Sequence, residues 1–303
     1  IALHGGTSFP VGKVEFMKLF PMSFREFLTA TGKEQYVELL EQKDHQMISS
    51  FKQIYIDALK EYYYVGGMPE AVLSYSQAHD LEDVRNIQNM ILAAYEQDFS
   101  KHAPVSIVPK IRMVWNSIPS QLAKENRKFI YGLLRKGARA KDYETAIMWL
   151  IDCGLIHKVS RITTPNLPLK AYEDLKAFKL YLVDIGLLGA LAGLKQSALL
   201  DGNGMFVEFK GALTEQYVLQ QLVTDPDIGI YYYTNDRGNC EIDFLIDDGD
   251  KVIPMEVKAE LNLKAKSLKT YREKYLPEVA VRTSMADYKE NDGLVDMPLY
   301  MIS

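Results

Sequence analysis

Two short segments near the end of the chain, Glu241–Ile246 and Ile253–Lys258, alternate charged and apolar residues with a period of two. This pattern is typical of β-strands, in which successive side chains point to opposite faces of the sheet. A turn centred on Gly249-Asp250 joins the two segments, so they are predicted to form an antiparallel hairpin. Counting outward from this turn sets Asp243 directly opposite Glu256.

The alternation also predicts which side chains share a face. In the second strand Glu256 and Lys258 are on the same face. In the first strand one face is predicted to carry Glu241, Asp243 and Leu245, and the other face Ile242, Phe244 and Ile246. Two carboxylates that face each other across a strand pair repel and are costly in a sheet. A bound Mg²⁺ or Mn²⁺ would remove that cost, because these cations prefer hard oxygen ligands.

The residue types around this pair are those used in metal-dependent phosphodiester cleavage. Glu215, on the preceding predicted helix, is the candidate that completes the ligand shell. The predicted metal ligands are Glu215, Asp243 and Glu256, and the predicted catalytic residues are Asp243, Glu256 and Lys258. The Lys258 ammonium would orient the attacking water or offset developing charge beside the cation. The alternative is that all these groups are exposed charges on a half-solvated sheet face.

Residues 201–303 are predicted to run helix, three strands, helix, strand. With Glu215, Asp243 and the run Glu256-Val257-Lys258 in this order, the segment resembles the PD-(D/E)XK nuclease superfamily. The resemblance implies a restriction-endonuclease-like α/β domain that hydrolyses DNA phosphodiesters with Mg²⁺ or Mn²⁺. The predicted fold class of the whole chain is mixed α/β.

Residues 1–100 are predicted to be one strand, at Val14–Phe20, followed by several helices. Ser23 and Glu26 have the spacing of a capping box at the start of the first helix. Apolar residues then recur at helical spacing from Glu34 to about Tyr64, and again from Asp80 to about Phe99.

Residues 101–200 differ from their neighbours in charge. Between 101 and 180 there are 15 Lys and Arg against 6 Asp and Glu, a net charge of +9, although the whole chain has a net charge of −5. Three short helices followed by two strands are predicted here, which is the order of a winged helix-turn-helix. The three helices are predicted at Pro109–Ser117, Pro119–Glu125 and Tyr143–Asp152, and the two strands at Leu155–Ile162 and Lys179–Val183.

The basic residues of this segment lie before or at the start of the third predicted helix, where contacts to DNA would be made. The predicted DNA-binding residues are Lys124, Arg127, Lys128, Arg135, Lys136, Arg139 and Lys141. The alternative is a basic surface that is solvated, or that docks on an acidic neighbour.

Several motifs are similar to prokaryotic AAA-type ATPases and to the domain of unknown function that follows their ATPase domain. The motifs are FPMSFREFL, GGMPEAV, YETAIMWLIDCGLI, FKLYLVDIGLL, GALTEQYV, YYYTNDRGNCEIDFLI, VIPMEVKA and SLKTYREKY. The resemblance implies that residues 1–100 are the end and helical lid of an ATPase domain. No phosphate-binding loop is present, because Gly6–Val14 has the wrong glycine spacing and Val14 in place of the required hydroxyl. We therefore expect ATP binding only in a longer parent protein.

Composition limits the setting. No apolar run approaches the ~20 residues of a membrane helix. Cys153 and Cys240 lack a partner at a recognisable spacing and are predicted to be free thiols in a reducing, cytoplasmic compartment. Three functions stay open at this stage: a DNA phosphodiesterase, a non-catalytic DNA- or protein-binding appendage that regulates an ATPase, and an ATP-driven switch acting on a protein partner.

Overall fold

The structure is a computed structural model that describes residues 17–124, 128–196, 204–235, 238–259 and 265–302. In these ranges it has eleven α-helices and eight strands, which confirms the predicted mixed α/β class. The helices are α1 Phe24–Ala30, α2 Glu34–Gln42, α3 His45–Ser50, α4 Lys52–Val65, α5 Pro69–Ala78, α6 Leu81–His102, α7 Val108–Leu122, α8 Ala140–Asp152, α9 Ile185–Leu191, α10 Gly204–Leu222 and α11 Lys266–Tyr275. Single turns of 3₁₀-helix lie at Tyr131–Leu133, Leu169–Tyr172 and Leu299–Met301.

The N-terminal helices begin and end where the sequence places the signals. The predicted capping box forms at α1, where Ser23 and Glu26 satisfy each other's backbone N–H groups. The side chain of Asp80 accepts bonds from the first turn of α6. Gly66 ends α4 with a φ of 72°, a conformation that favours glycine.

Two predictions for helices and strands are corrected. Of the strand predicted at 14–20, residues 14–16 lie outside the described residues, and residues 17–20 form no strand. The two short helices predicted on either side of Pro119 are one continuous helix, α7. Pro119 is tolerated there because the helix is long enough for packing to outweigh one lost backbone hydrogen bond. Ile111, Trp115 and Ile118 hold it in the core.

The eight strands form one mixed sheet in the order β2-β1-β3-β4-β5-β6-β8-β7. Their bounds are β1 Ile156–Ile162, β2 Glu173–Leu182, β3 Gly229–Thr234, β4 Glu241–Asp247, β5 Val252–Val257, β6 Ala280–Ser284, β7 Lys289–Asn291 and β8 Leu294–Pro298. β7 was not predicted from the sequence; it is three exposed polar residues, too short to show a period.

The predicted hairpin of the middle segment forms as β1 and β2, which pair antiparallel. It does not stand apart from the rest of the fold, because β1 also pairs in parallel with β3. One sheet therefore continues across residue 200, where we predict a domain boundary. The winged-helix and nuclease-like interpretations of the two segments stay predictions.

Helices cover both faces of the sheet. On the first face, Leu213 and Tyr217 of α10 belong to the same apolar cluster as Phe244 and Met255. The first cluster also contains the core of the N-terminal helices. A second, smaller cluster on the other face joins Leu268 and Tyr271 of α11 to Tyr233, Cys240, Ile242 and Leu245.

A buried polar joint attaches the N-terminal helices to the sheet. The fully buried carboxylate of Asp184 accepts hydrogen bonds from the backbone N–H groups of Gly67 (2.6 Å) and Leu187 (2.9 Å) and from the side-chain amide of Gln220 (3.0 Å). Gln220 also donates to the Tyr62 hydroxyl (3.0 Å). Burial raises the pKa of Asp184, and these hydrogen bonds oppose the shift.

The joint leaves no room for larger side chains. A Cβ at Gly67 would lie 2.2 Å from the carbonyl oxygen of Met22, and a Cβ at Gly186 would lie 2.5 Å from that of Val65. Both contacts are to backbone, so they cannot be relieved by moving a side chain. Gly67 lets the chain after α4 approach Met22, just before α1, and Gly186 lets the start of α9 approach the end of α4.

Both cysteines are free, as predicted. Within the described ranges, no helix combines the length and the apolar composition needed to cross a membrane.

We predict that Asp184→Ala destabilises the protein by about 3 kcal/mol or more, because it leaves the buried N–H groups of Gly67 and Leu187 without an acceptor and removes one acceptor of Gln220. Urea unfolding followed by circular dichroism measures the loss. The matched control is Asp80→Ala, which removes an exposed cap and should cost about 1 kcal/mol. Equal losses in the two variants would show that the buried joint is no more important than an ordinary cap.

Candidate functional site

The hairpin that carries the predicted site has the predicted register. Phe244 pairs with Met255 and Ile246 with Ile253. The four-residue loop between β4 and β5 contains Gly249 at a φ of 91°, a conformation that favours glycine. Asp243 and Glu256 are the next residues beyond the Phe244–Met255 pair, where the ladder ends, so their direct pairing stays a prediction.

The predicted faces of β4 are wrong at one point. Ile242 belongs with Leu245 to the second cluster, whereas Phe244 and Ile246 belong to the first. The reason is a bulge: Leu245 pairs with Tyr231 and Ile242 with Tyr233, so two residues of β4 oppose the single residue Tyr232 of β3. Asp243 is one of these two residues, and it lies where the alternation breaks.

β4 and β5 separate at the site. Their ladder ends at Phe244 and Met255, and beyond it the Val257 N–H donates to Oδ2 of Asp243 (2.8 Å). β5 continues instead along β6, with Glu256 opposite Arg282 and the Lys258 N–H bonded to the carbonyl of Thr283 (2.8 Å). The carboxylate of Asp243 thus replaces a backbone carbonyl as the hydrogen-bond acceptor of a strand N–H at the point where the two strands diverge.

Glu256 is the most perturbed acid of the site. It is 6% exposed, and its Oε1 accepts a hydrogen bond from Nζ of Lys258 (2.6 Å). Its Oε2 is buried and has no hydrogen-bond partner among the described residues. Burial and the neighbouring Asp243 raise the pKa of Glu256 to about 7, against the lowering effect of Lys258. A buried carboxylate oxygen without a donor fits a site for a proton or a cation.

Glu215 lies in a neighbouring charge network on the first face. Its Oε2 accepts from the Tyr181 hydroxyl (3.1 Å) and lies 3.8 Å from Nζ of Lys179. The same Nζ contacts Oε1 of Glu241 (2.7 Å) and lies 4.9 Å from the centre of the Tyr232 ring. Lys179 is completely buried, so its charge is balanced by the two carboxylates.

Sequence reasoning missed Lys179 and Glu241 as members of this network. The available signal was a lysine in the middle of the apolar strand segment Phe178–Leu182, because a strand buried on both faces rarely tolerates an unpaired charge. The sequence could not show its partners, which come from α10 and β4.

In the described ranges, no three His, Cys, Asp or Glu side chains are grouped so that they could hold a metal ion. The bulge and the pleat account for the separation. Met255 and Val257 face the first cluster with α10, so the alternation of β5 turns Glu256 toward the second face. What the structure brings together is Asp243, Glu256 and Lys258. The role of Glu215 as a third ligand stays a prediction.

The predicted DNA-binding residues lie at the surface. Arg127 falls outside the described residues. The other six are exposed and form no ion pair within the described chain: Lys124, Lys128, Arg135, Lys136, Arg139 and Lys141. Four of the six lie in the segment from 135 to 141 that leads into α8. The exposed face of α8 carries Lys141 in its first turn, followed by Glu144, Met148 and Asp152.

Comparison with known families divides the chain close to residue 200. Residues 210–302 match a domain of unknown function, DUF4143. This domain is typically found C-terminal to AAA ATPase domains. Residues 56–198 match a second domain of unknown function, DUF8612. No curated protein and no solved structure matches the chain. The sheet described above spans both matched regions.

We predict that Glu256→Gln changes stability in a pH-dependent way in the presence of a chelator. The folded-state pKa of Glu256, about 7, lies above its ordinary value of 4.5. Folding therefore favours the protonated acid, and the unfolding free energy of the parent protein falls as the pH rises from about 4.5 through 7, by at most about 3 kcal/mol.

The amide that replaces the carboxyl group in Glu256→Gln does not titrate, so the variant should match the parent near pH 5 and exceed it near pH 8 in urea unfolding. Glu38→Gln, on the exposed face of α2, is the control and should show no such trend. A difference between Glu256→Gln and the parent that is the same at every pH would contradict the raised pKa.

Proposed function

We propose that the C-terminal part of this chain is a Mg²⁺- or Mn²⁺-dependent phosphodiesterase that acts on DNA. The observation that carries the proposal is the buried oxygen of Glu256, which has no hydrogen-bond partner in the described chain and sits beside Asp243 and Lys258 where β4 and β5 separate. Two neighbouring carboxylates on adjacent strands are costly unless a cation or a proton balances their charge.

The residues fit a magnesium-type ion better than a fully enclosed metal. Mg²⁺ is usually held by one or two carboxylates, while water and substrate phosphates fill its other positions. Asp243 and Glu256 would supply the two carboxylates, with Glu215 as a third ligand in the finer version of the proposal. When bound, the ion would polarise a phosphate and lower the pKa of a water molecule.

Lys258 reaches solvent, with 30% of its side chain exposed. In the structure its ammonium is paired with Oε1 of Glu256. Once a cation takes up the charge of Glu256, this ammonium becomes available to a phosphate or to the attacking water. Lys258 would then stabilise charge that develops in the reaction and contribute little to metal affinity.

The basic segment offers a way to hold the substrate. Arg135, Lys136, Arg139 and Lys141 are exposed within seven residues, and they would contact DNA phosphates without reading sequence. Glu144 and Asp152 argue that α8 beyond its first turn stays out of the DNA groove. In this proposal residues 135–141 contact the DNA duplex, and the predicted winged-helix elements serve only to hold this segment in position.

The second candidate is a non-catalytic appendage that regulates an ATPase in the cytoplasm. The match of residues 210–302 to a domain that typically follows AAA ATPase domains favours it. In that case the ion pair between Lys258 and Glu256 would balance the charge of the site, and no cation would bind there. An ATP-driven switch acting on a protein partner is a further version, in which ATP is bound by a preceding ATPase domain of a longer protein.

We predict that Mn²⁺ raises the melting temperature of the parent chain, because a ligand that binds only the folded state at about 100 times its Kd adds about 2.7 kcal/mol. Asp243→Asn and Glu256→Gln should abolish the shift, and Lys258→Ala should keep it. Glu215→Gln decides whether a third carboxylate takes part.

The same proteins are then incubated with supercoiled plasmid and Mn²⁺. The parent should nick the plasmid, Asp243→Asn and Glu256→Gln should not, and Lys258→Ala should nick more slowly. A thermal shift without nicking would leave the metal site and reject the nuclease. Equal nicking by the parent and Asp243→Asn would identify a contaminant.

We also predict weak binding of duplex DNA with a steep salt dependence, since neutralised phosphates release counterions. The triple variant Arg135→Ala, Lys136→Ala, Arg139→Ala should weaken binding and lower the slope of log K against log salt by up to about 3. Lys60→Ala, on α4, removes a charge elsewhere and should leave the slope unchanged. Affinity that does not depend on salt would reject this surface as a phosphate-binding one.

A further inference from the structure

A groove lies at the surface between α8 and the turn that joins α6 to α7. Its volume is about 750 Å³, within the size range of ligand sites. The walls are mostly apolar, with Pro104 and Ile107 on one side, Met148 on the other, and the Trp149 ring as the floor. The two carboxylates that line it are Glu144 and Asp152, two turns apart on α8.

The apolar part of the groove is open to solvent. Met148 is 56% exposed and Val105, next to Pro104, is 86% exposed. Trp149 packs from below against Phe99 in an edge-to-face arrangement, with the two ring centroids 5.6 Å apart. Exposed apolar side chains gathered on one concave surface indicate binding, and methionine adapts to partners of different shape.

The charges around the groove select the partner. Glu144 and Asp152 lie on α8, and Asp98 of α6 lies 3.9 Å from the imidazole of His102, which also lines the groove. The lining thus carries two carboxylates, while the exposed Lys101 and Lys141 lie beside it. A cationic group next to an apolar side chain gains from both features of the lining.

We propose that this groove docks a peptide segment of a partner protein whose apolar side chains are flanked by Lys or Arg. The apolar side chains enter between Ile107 and Met148, above Trp149, and the basic ones meet Glu144 and Asp152. An amphipathic helix laid in an apolar groove is a common form of such recognition. This site is separate from the carboxylate site and does not depend on nuclease activity.

The test uses the full chain and a helical peptide of Leu and Lys as the probe, at 0.15 M salt. Trp149 reports binding through its fluorescence, because it is 6% exposed and lines the groove, whereas the only other tryptophan, Trp115, is completely buried and does not line it. We expect a saturable change in emission with the Leu/Lys peptide and none with a Leu/Glu peptide. The double variant Glu144→Gln, Asp152→Asn should bind about tenfold more weakly, as expected for the loss of two surface charge pairs. Met148→Lys should abolish binding.

The matched control is Glu38→Gln, Glu41→Gln on α2, which removes the same charge from an exposed helix away from the groove. It should bind like the parent. The proposal is wrong if the groove variant and this control bind equally, or if the parent shows no saturable change. It is also wrong if duplex DNA alone gives the same saturable change and Met148→Lys removes it, or if the parent self-associates and Met148→Lys prevents that, since the occupant would then be DNA or a second copy.

Discussion

The carboxylate of Asp184 is the point on which the arrangement of the chain depends. It lies between three pieces that are far apart in sequence: the turn after α4, the start of α9 and the last turn of α10. A buried charge is stable only when donors surround it, so each piece has to be in place for the others to be stable. Neighbouring glutamines extend the joint, since Gln221 accepts from the Phe24 N–H and Gln216 bonds both backbone groups of Leu182. The N-terminal helices are thereby fixed on the same frame as the sheet.

Much of the fold could be predicted from the sequence, because short local motifs determine where many helices begin and end. The capping box at Ser23, the cap at Asp80 and the stop at Gly66 each depend on a few adjacent residues. The register of β4 and β5 was predictable as well, since a short loop around Gly249 leaves few ways to pair the strands. The break at Pro119 was predicted wrongly, because the packing of α7 outweighs the local preference of proline.

The site was predicted less completely, for reasons of distance along the chain. The proximity of Asp243 and Glu256 follows from the register of the hairpin and could be predicted. The bulge opposite Tyr232 depends on the register in which β3 pairs with β4. No local sequence pattern fixes that register. The joining of Lys179 to Glu215 and Glu241 depends on the whole sheet being assembled. The exposed charges before α8 were visible in composition, but the exposed carboxylates of α8 can be recognised only when its buried side is known.

The continuity of the sheet across residue 200 has a consequence for any attempt to divide this protein. A cut between the two regions that match known domains would strip β1 from β3 and leave an unpaired strand edge, which is prone to pair with other chains. The same cut would remove Lys179, whose buried ammonium lies between Glu215 and Glu241, and would take its positive charge away from both acids. The two matched regions thus share one network of buried charges. The boundary between the two families separates Lys179 from Glu215 and Glu241, the carboxylates that balance its charge.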